Sequence, residues 1–344
     1  MQGKLARLSL NLTALGSKWS SVGLAALFLL VLTLGLSVGA VPLPIWDIVT
    51  GSADSLESTI FTQIRAPRVL LAAAVGASLA CAGAVLQGLF RNPLADPGLI
   101  GVSGGAALGA VAVIVFGSWL DIPPELAGYT MPVAAVFGAL VVTGILYLFA
   151  SRFGQFKIVT VLLVGIAINA LSSVGIGLFQ YLSDDTQLRT LIFWMMGSFG
   201  RAQWSTALPC IAMMALATFA LIGRSGPLDK LQLGEFEAFH LGIDVISVKR
   251  QVVLLSAVCV GAGVAVAGII GFVGLVVPHI VRFTLGVAHR PLILGSGFLG
   301  ATLMVSADLV ARTAVLPAEI PVGLVTSALG APFFLWLITK VAPR

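Results

Sequence analysis

Long stretches of the chain carry no Asp, Glu, Lys or Arg, and short charged connections separate them. These charge-free runs lie at 19–46, 69–90, 97–120, 126–151, 158–183, 202–223, 251–281, 291–307 and 320–339. Crossing ~30 Å of hydrocarbon at 1.5 Å per residue takes about 20 residues of helix, so the runs predict membrane-spanning helices. A further run at 190–200 is too short to cross. The run at 251–281 is long for one span and would extend about 47 Å as a single helix. Gly268, Gly271, Gly274 and Pro278 are natural breaks within it, and a tight turn near Gly268–Gly271 would divide it in two.

The placement of the 19 Lys and Arg separates these alternatives. Two helices make ten spans. With the N-terminus inside, Arg65, Arg68, Arg189, Arg201 and Arg312 then fall outside. The other 14 fall in the cytoplasm, from Lys4 and Arg7 through Arg152 to Lys340 and Arg344. One helix makes nine spans and an 11 to 8 split. The excess of basic residues on cytoplasmic loops favours ten spans with both termini in the cytoplasm. The first span follows Lys4 and Arg7 as a signal peptide would, but its apolar stretch exceeds an h-region, so an uncleaved helix is expected.

Composition closes off the soluble classes. Apolar residues make up 58% and charged residues 10% of the 344, against roughly 25% charged in a typical globular domain. The expected fold is all-α: one polytopic membrane domain over 1–344, with a cytoplasmic segment at 1–18 and a long cytoplasmic connection at 224–250. Cys81, Cys210 and Cys259 lie in apolar runs without metal-ligand or disulfide spacing. The net charge of +5 reads as topology marking rather than as a nucleic-acid footprint.

The candidate chemistry is sparse. Ion-coupled carriers bury ionisable groups at mid-membrane. Here Asp308 and Arg312 stand one turn apart near a helix end, as an i,i+4 pair, and Glu319 begins the last span. That argues against a secondary transporter, and the absence of a filter-like segment against an ion channel. Gly295, Gly297 and Gly300 match a dinucleotide fingerprint but fall inside a span, with no preceding strand. There is no P-loop, so any use of ATP requires a partner. His240, His279 and His289 are not arranged as metal ligands, and no nucleophile–base set suggests an enzyme. Gly101, Gly105 and Gly109, with Gly76 and Ala80, have the spacing of closely packed membrane helices.

The 224–250 connection mixes charges with Leu231, Leu233, Phe236, Phe239 and Leu241. Short amphipathic helices turned at Gly234 and Gly242 would offer this surface to a cytosolic partner, or pack it on the chain's own helix ends.

Several motifs then converge. Arg65-Ala66-Pro67-Arg68, the stretch from Gly83 to Pro97, Phe193 to Gly200, Gly271 to Arg282, Glu319 to Gly323 and Gly330 to Phe334 resemble the iron-chelate, haem and cobalamin permease family, the membrane subunits of type II ABC importers. The resemblance covers nearly all of the chain after the first span. It implies a bacterial inner-membrane location, a second permease copy, two cytosolic ATPases that bind ATP and Mg, and a substrate-binding protein outside, with no cofactor in this chain. It implies that Arg65, Arg68 and Arg312, at a wet external rim, receive carboxylates from the binding protein, aiding encounter and register. It implies ATPase contact through Glu235, Phe236, Phe239, His240, Leu241 and Gly242. It implies a cytoplasmic gate at Asn92 and Leu94 with Ile158 and Val159, the last two apolar where a cobalamin permease has small hydroxyl residues. The translocation path between copies is expected along spans five and ten, with Asn169, Ser172, Ser173, Gln180, Thr326 and Ser327. An iron complex, siderophore or haem, is the expected cargo. Cobalamin is the alternative, a metal oxyanion is third, and an ATPase-independent channel or facilitator is more remote.

Overall fold

A computed structural model of the chain describes residues 2–39, 41, 43, 45–119, 121–151 and 157–341. Arg152 and Arg344 of the charge count lie outside them. Eight described helices are long and apolar enough to cross a membrane, and two shorter apolar ones complete a set of ten. In chain order these are α1 (Gln2–Ser37), α2 (Ala66–Phe90), α3 (Val102–Phe116), α4 (Pro124–Ser151), α5 (Ile158–Leu182), α6 (Trp204–Ile222), α7 (Val245–Ala267), α8 (Val273–Leu285), α9 (His289–Thr313) and α10 (Val322–Val341). Helices are the natural solution for such runs, because hydrocarbon offers the backbone no other hydrogen-bond partner.

The 251–281 run is two helices, as the charge bias favours. Gly268 ends α7 at φ +72°, where a Cβ would also stand 2.2 Å from the Trp194 carbonyl oxygen. Both the turn and the contact require glycine. Among the short helices in the connections are Asp185–Met195, Ser225–Leu231 and Glu235–His240. The first starts on a capping box, with Asp184 accepting from Gln187 N at 2.8 Å.

Buried along nearly its whole length, α2 is the centre of the bundle. Around it pack α6, α7, α8 and α9, while α3 pairs with α4 and α5. The small residues set these approaches. A Cβ on Gly76 would be 2.2 Å from the Gly300 carbonyl oxygen, and one on Gly109 would be 2.1 Å from that of Ala134. Gly295, Gly297 and Gly300 lie in the interior of α9, where a Cβ on Gly295 would meet Leu285 and Val281 of α8. The fingerprint spacing is helix packing.

Candidate functional site

The chemistry sits at the two ends of α2. The chain enters α2 through a π-helical turn at Ile60–Arg65, just ahead of Pro67, and Arg68 follows that proline into the bundle. Arg68 Nε donates to both Asp308 carboxylate oxygens at 3.0 and 3.1 Å. Its Nη1 and Nη2 donate to Glu319 at 2.8 and 3.0 Å. One guanidinium is thereby gripped by two carboxylates, from α9 and from the turn before α10. Burial falls off outward: the side chain of Asp308 is 1% exposed, that of Arg68 10% and that of Glu319 43%.

Arg312 Nε stands 3.7 Å from Asp308, beyond hydrogen-bond reach, and its Nη2 donates to the Gly35 carbonyl of α1. Arg65 donates to the Leu36, Ser37 and Val41 carbonyls, capping the end of α1. The three arginines do lie together, but not as exposed groups on a wet rim. They are buried at 4%, 8% and 6% exposure and already engaged by the chain's own acceptors. The expected i,i+4 pairing of Asp308 with Arg312 is likewise secondary to its bond with Arg68.

The Phe193–Gly200 motif forms a backbone clasp beside this cluster. Ser198 N donates to the Ala267 carbonyl ending α7, while the Met196 and Gly197 carbonyls accept from Gly323 and Val322 of α10. Next to it opens a cavity of about 870 Å³, lined by Gln187, Thr190, Arg201 and Gln203 and sharing Glu319 with the ionic cluster.

At the other end of α2, the 224–250 connection folds back on the bundle. Leu228 and Leu231 are buried, so Leu231 belongs to the core rather than to an outward surface. Leu233, Phe236, Phe239 and Leu241 are each more than half exposed. Glu235 pairs with Lys249 of α7 at 2.6 Å, and the Phe236 ring meets His240 edge-on at 4.4 Å. Gly234 and Gly242 turn the chain at φ +137° and +79°.

Asn92 and Leu94 are exposed in the loop after α2, where the Asn92 side chain accepts from Leu94 N. Val159 is exposed and Ile158 half-buried at the start of α5. Asn169 donates to the Gly98 carbonyl at 3.0 Å, joining α5 to the loop that carries Asn92 and Leu94. Ser173 is exposed, and Gln180 and Ser327 half-buried. Ser172 and Thr326 are turned inward at 3% and 2% exposure, Thr326 donating to its own helix at Gly323, so neither lines an exposed route.

The family model described as the FecCD transport family matches residues 27–340. This chain belongs to that family. The FecCD chain is 46% identical to the hemin transport system permease protein HmuU of Yersinia pestis, over 93% of this chain and 95% of that protein. It is 43% identical to the vitamin B12 import system permease protein BtuC of Vibrio cholerae serotype O1, over 93% and 94%. A solved structure, an inward-facing conformation of a metal-chelate type ABC transporter, superposes with a TM-score of 0.84 at 34% identity, covering 93% of this chain and 99% of that one. The FecCD chain is therefore a multi-pass membrane permease of the type II ABC importer class.

Reading the sequence as a FecCD permease finds its arginines but misses their partners. Asp308 and Glu319 are 240 and 251 residues from Arg68. The available signal was the confinement of two acids and three arginines to the same ends of neighbouring spans. Asp229 and His289, an exposed carboxylate paired with a buried imidazole at the opposite end, carried no sequence signal beyond their residue types.

Proposed function

We propose that this permease moves an iron complex, haem or a ferric siderophore, from an external binding protein into the cytoplasm by alternating access. Two copies form the path and two cytosolic ATPases bind the ATP and Mg. The observation that carries the ATP-driven reading is the exposed Phe236, Phe239 and Leu241 surface, braced by the Glu235–Lys249 pair. A loop facing only water gains nothing by exposing so much apolar area, whereas a cleft in a partner would bury it. In this reading the Arg91 end of α2 and both termini are cytoplasmic, and the Arg68 end faces outward. Haem is favoured by the likeness to HmuU. Cobalamin is the second reading, on the 43% identity to BtuC.

Binding-protein docking involves the Arg65, Arg68 and Arg312 cluster through Glu319, its most exposed member. A carboxylate arriving from the binding protein exchanges with Glu319 for the fork of Arg68, since the guanidinium has no unoccupied side to offer. Gate roles for Asn92, Leu94, Ile158 and Val159 remain part of the proposal. The route follows the exposed faces of α5 and α10, through Ser173 and, at their half-buried edges, Asn169, Gln180 and Ser327.

Reconstitution in liposomes tests the whole reading. The permease, its ATPase and binding protein loaded in turn with haem, a ferric siderophore or cobalamin are assayed for import and stimulated ATP hydrolysis. Haem or siderophore import coupled to hydrolysis is expected, and flux without any ATPase would sink the reading. Phe236→Asp with Phe239→Asp should release the ATPase on purification, and a complex that stays whole would remove the coupling contact.

A further inference from the structure

The Ser225–Leu231 helix has seven residues, too few to hold its shape or direction alone. Its position comes from ties to the ends of two spans. Asp229 Oδ1 accepts from the backbone N–H of His289, the first residue of α9, at 2.9 Å, and lies 2.7 Å from the ring Nδ1 of the same residue. A carboxylate can only accept, so Nδ1 carries the proton. The negative charge also sits where the N-terminal dipole of α9 favours it. The His289 ring is buried, with its far nitrogen so close to α2 that a Cβ on Gly88 would stand 2.1 Å from it. At the other end of the short helix, Arg91 donates to the Leu231 carbonyl, and Gln232 Nε2 donates to the Gly88 carbonyl at 2.9 Å.

The two spans so joined are also packed and bonded to each other. Along their length Gly76 and Gly300 bring α2 and α9 to backbone contact. At their far ends Arg68 and Asp308 are bonded. A displacement of the Ser225–Leu231 helix must therefore travel along both spans to the ionic cluster, or break the Asp229–His289 junction.

We propose that Asp229 and His289 are positioning residues of the transport cycle. They fasten the segment that meets the ATPase to the α2–α9 pair, so that motion driven by ATP reaches the opposite face instead of being lost in the loop. This rests on the reading that 224–250 contacts an ATPase.

The test is the number of ATP molecules hydrolysed per molecule imported, measured on the full complex in liposomes. Asp229→Ala and His289→Ala should retain the ATPase on purification and still hydrolyse ATP, with the ratio raised about threefold to tenfold. The double variant should be no worse than either single one, because the two residues make one junction. His289→Asn, whose amide can donate from the place of Nδ1, should restore the ratio. A loss of folded protein would lower import and hydrolysis together, so an unchanged ratio in the alanine variants overturns the proposal. Where Asp229→Ala does not assemble, Asp229→Ser is read in its place with the same two outcomes. If the Phe236→Asp, Phe239→Asp protein keeps its ATPase, the contact itself is wrong, a result separable from an unchanged ratio in complexes that do depend on those rings.

Discussion

Pro278 has no N–H for the carbonyl four residues before it, so α8 would leave the Gly274 oxygen unpaired inside the bundle. Gln87 of α2 supplies the donor, its Nε2 standing 3.3 Å from the Gly274 and Leu275 oxygens. Gln87→Leu keeps the bulk and removes the donor, and an unsatisfied buried carbonyl costs about 1–3 kcal/mol. Removing Gln87 Oε1, itself buried without a partner among the described residues, offsets part of that cost, so the thermal midpoint of the purified permease should fall modestly, and a raised midpoint would show that the amide contributes nothing. The ionic cluster follows the same logic with charges. Asp308→Ala leaves the buried Arg68 guanidinium with one carboxylate fewer, which breaking a buried pair prices at about 3–5 kcal/mol. Glu319→Ala, truncating a side chain 43% exposed, should cost about 1 kcal/mol or less. Equal shifts in the melting midpoints of the two variants would contradict the burial gradient on which this ordering depends.

At the scale of elements, glycine sets distances between helices. A Cβ on Gly83 of α2 would stand 1.9 Å from the Gly274 carbonyl oxygen of α8, an encounter with backbone that no side-chain rotation relieves. Gly83→Ala should therefore sharply lower the yield of folded permease. Gly23→Ala, where a Cβ meets nothing within 4 Å, should leave it unchanged. Size-exclusion profiles of the two variants decide the point. Most of this layer was legible beforehand. Charge-free runs report spans because hydrocarbon excludes charge, and Gly268, with Pro278 beyond it, marked where a 31-residue run divides. The inward turn of Ser172 and Thr326 was not legible, since their spans are apolar on every side and hydrophobic periodicity assigns no face. Burial of Arg65, Arg68 and Arg312 was hidden for another reason. A guanidinium near a helix end is equally consistent with a wet rim and with a buried fork, and only acceptors elsewhere in the chain distinguish them, from 24 residues away for Arg65 to 277 for Arg312.

For the molecule as a whole, the consequence is that charge reversal at Arg68 is a poor probe of docking. Arg68→Glu would place a third carboxylate beside Asp308 and Glu319, so lost uptake would report a broken fold. Glu319→Gln is the cleaner variant, because the amide keeps the shape and leaves the buried Arg68–Asp308 bond intact. If an incoming carboxylate exchanges with Glu319, neutralising the competitor should tighten binding-protein association about twofold to fivefold, the span of an exposed pair worth ~0.5–1 kcal/mol. The gain should shrink as salt rises from 0.05 to about 0.5 M, because a partly exposed competitor is screened. Titration of loaded binding protein onto the reconstituted permease, with both proteins otherwise unaltered, measures this directly. Weaker binding by the variant would mean that Glu319 itself receives a cation from the partner. Equal affinity at both salt concentrations would mean that docking bypasses the cluster. The buried arginines would then serve only to hold α1, α2, α9 and the entry to α10 together.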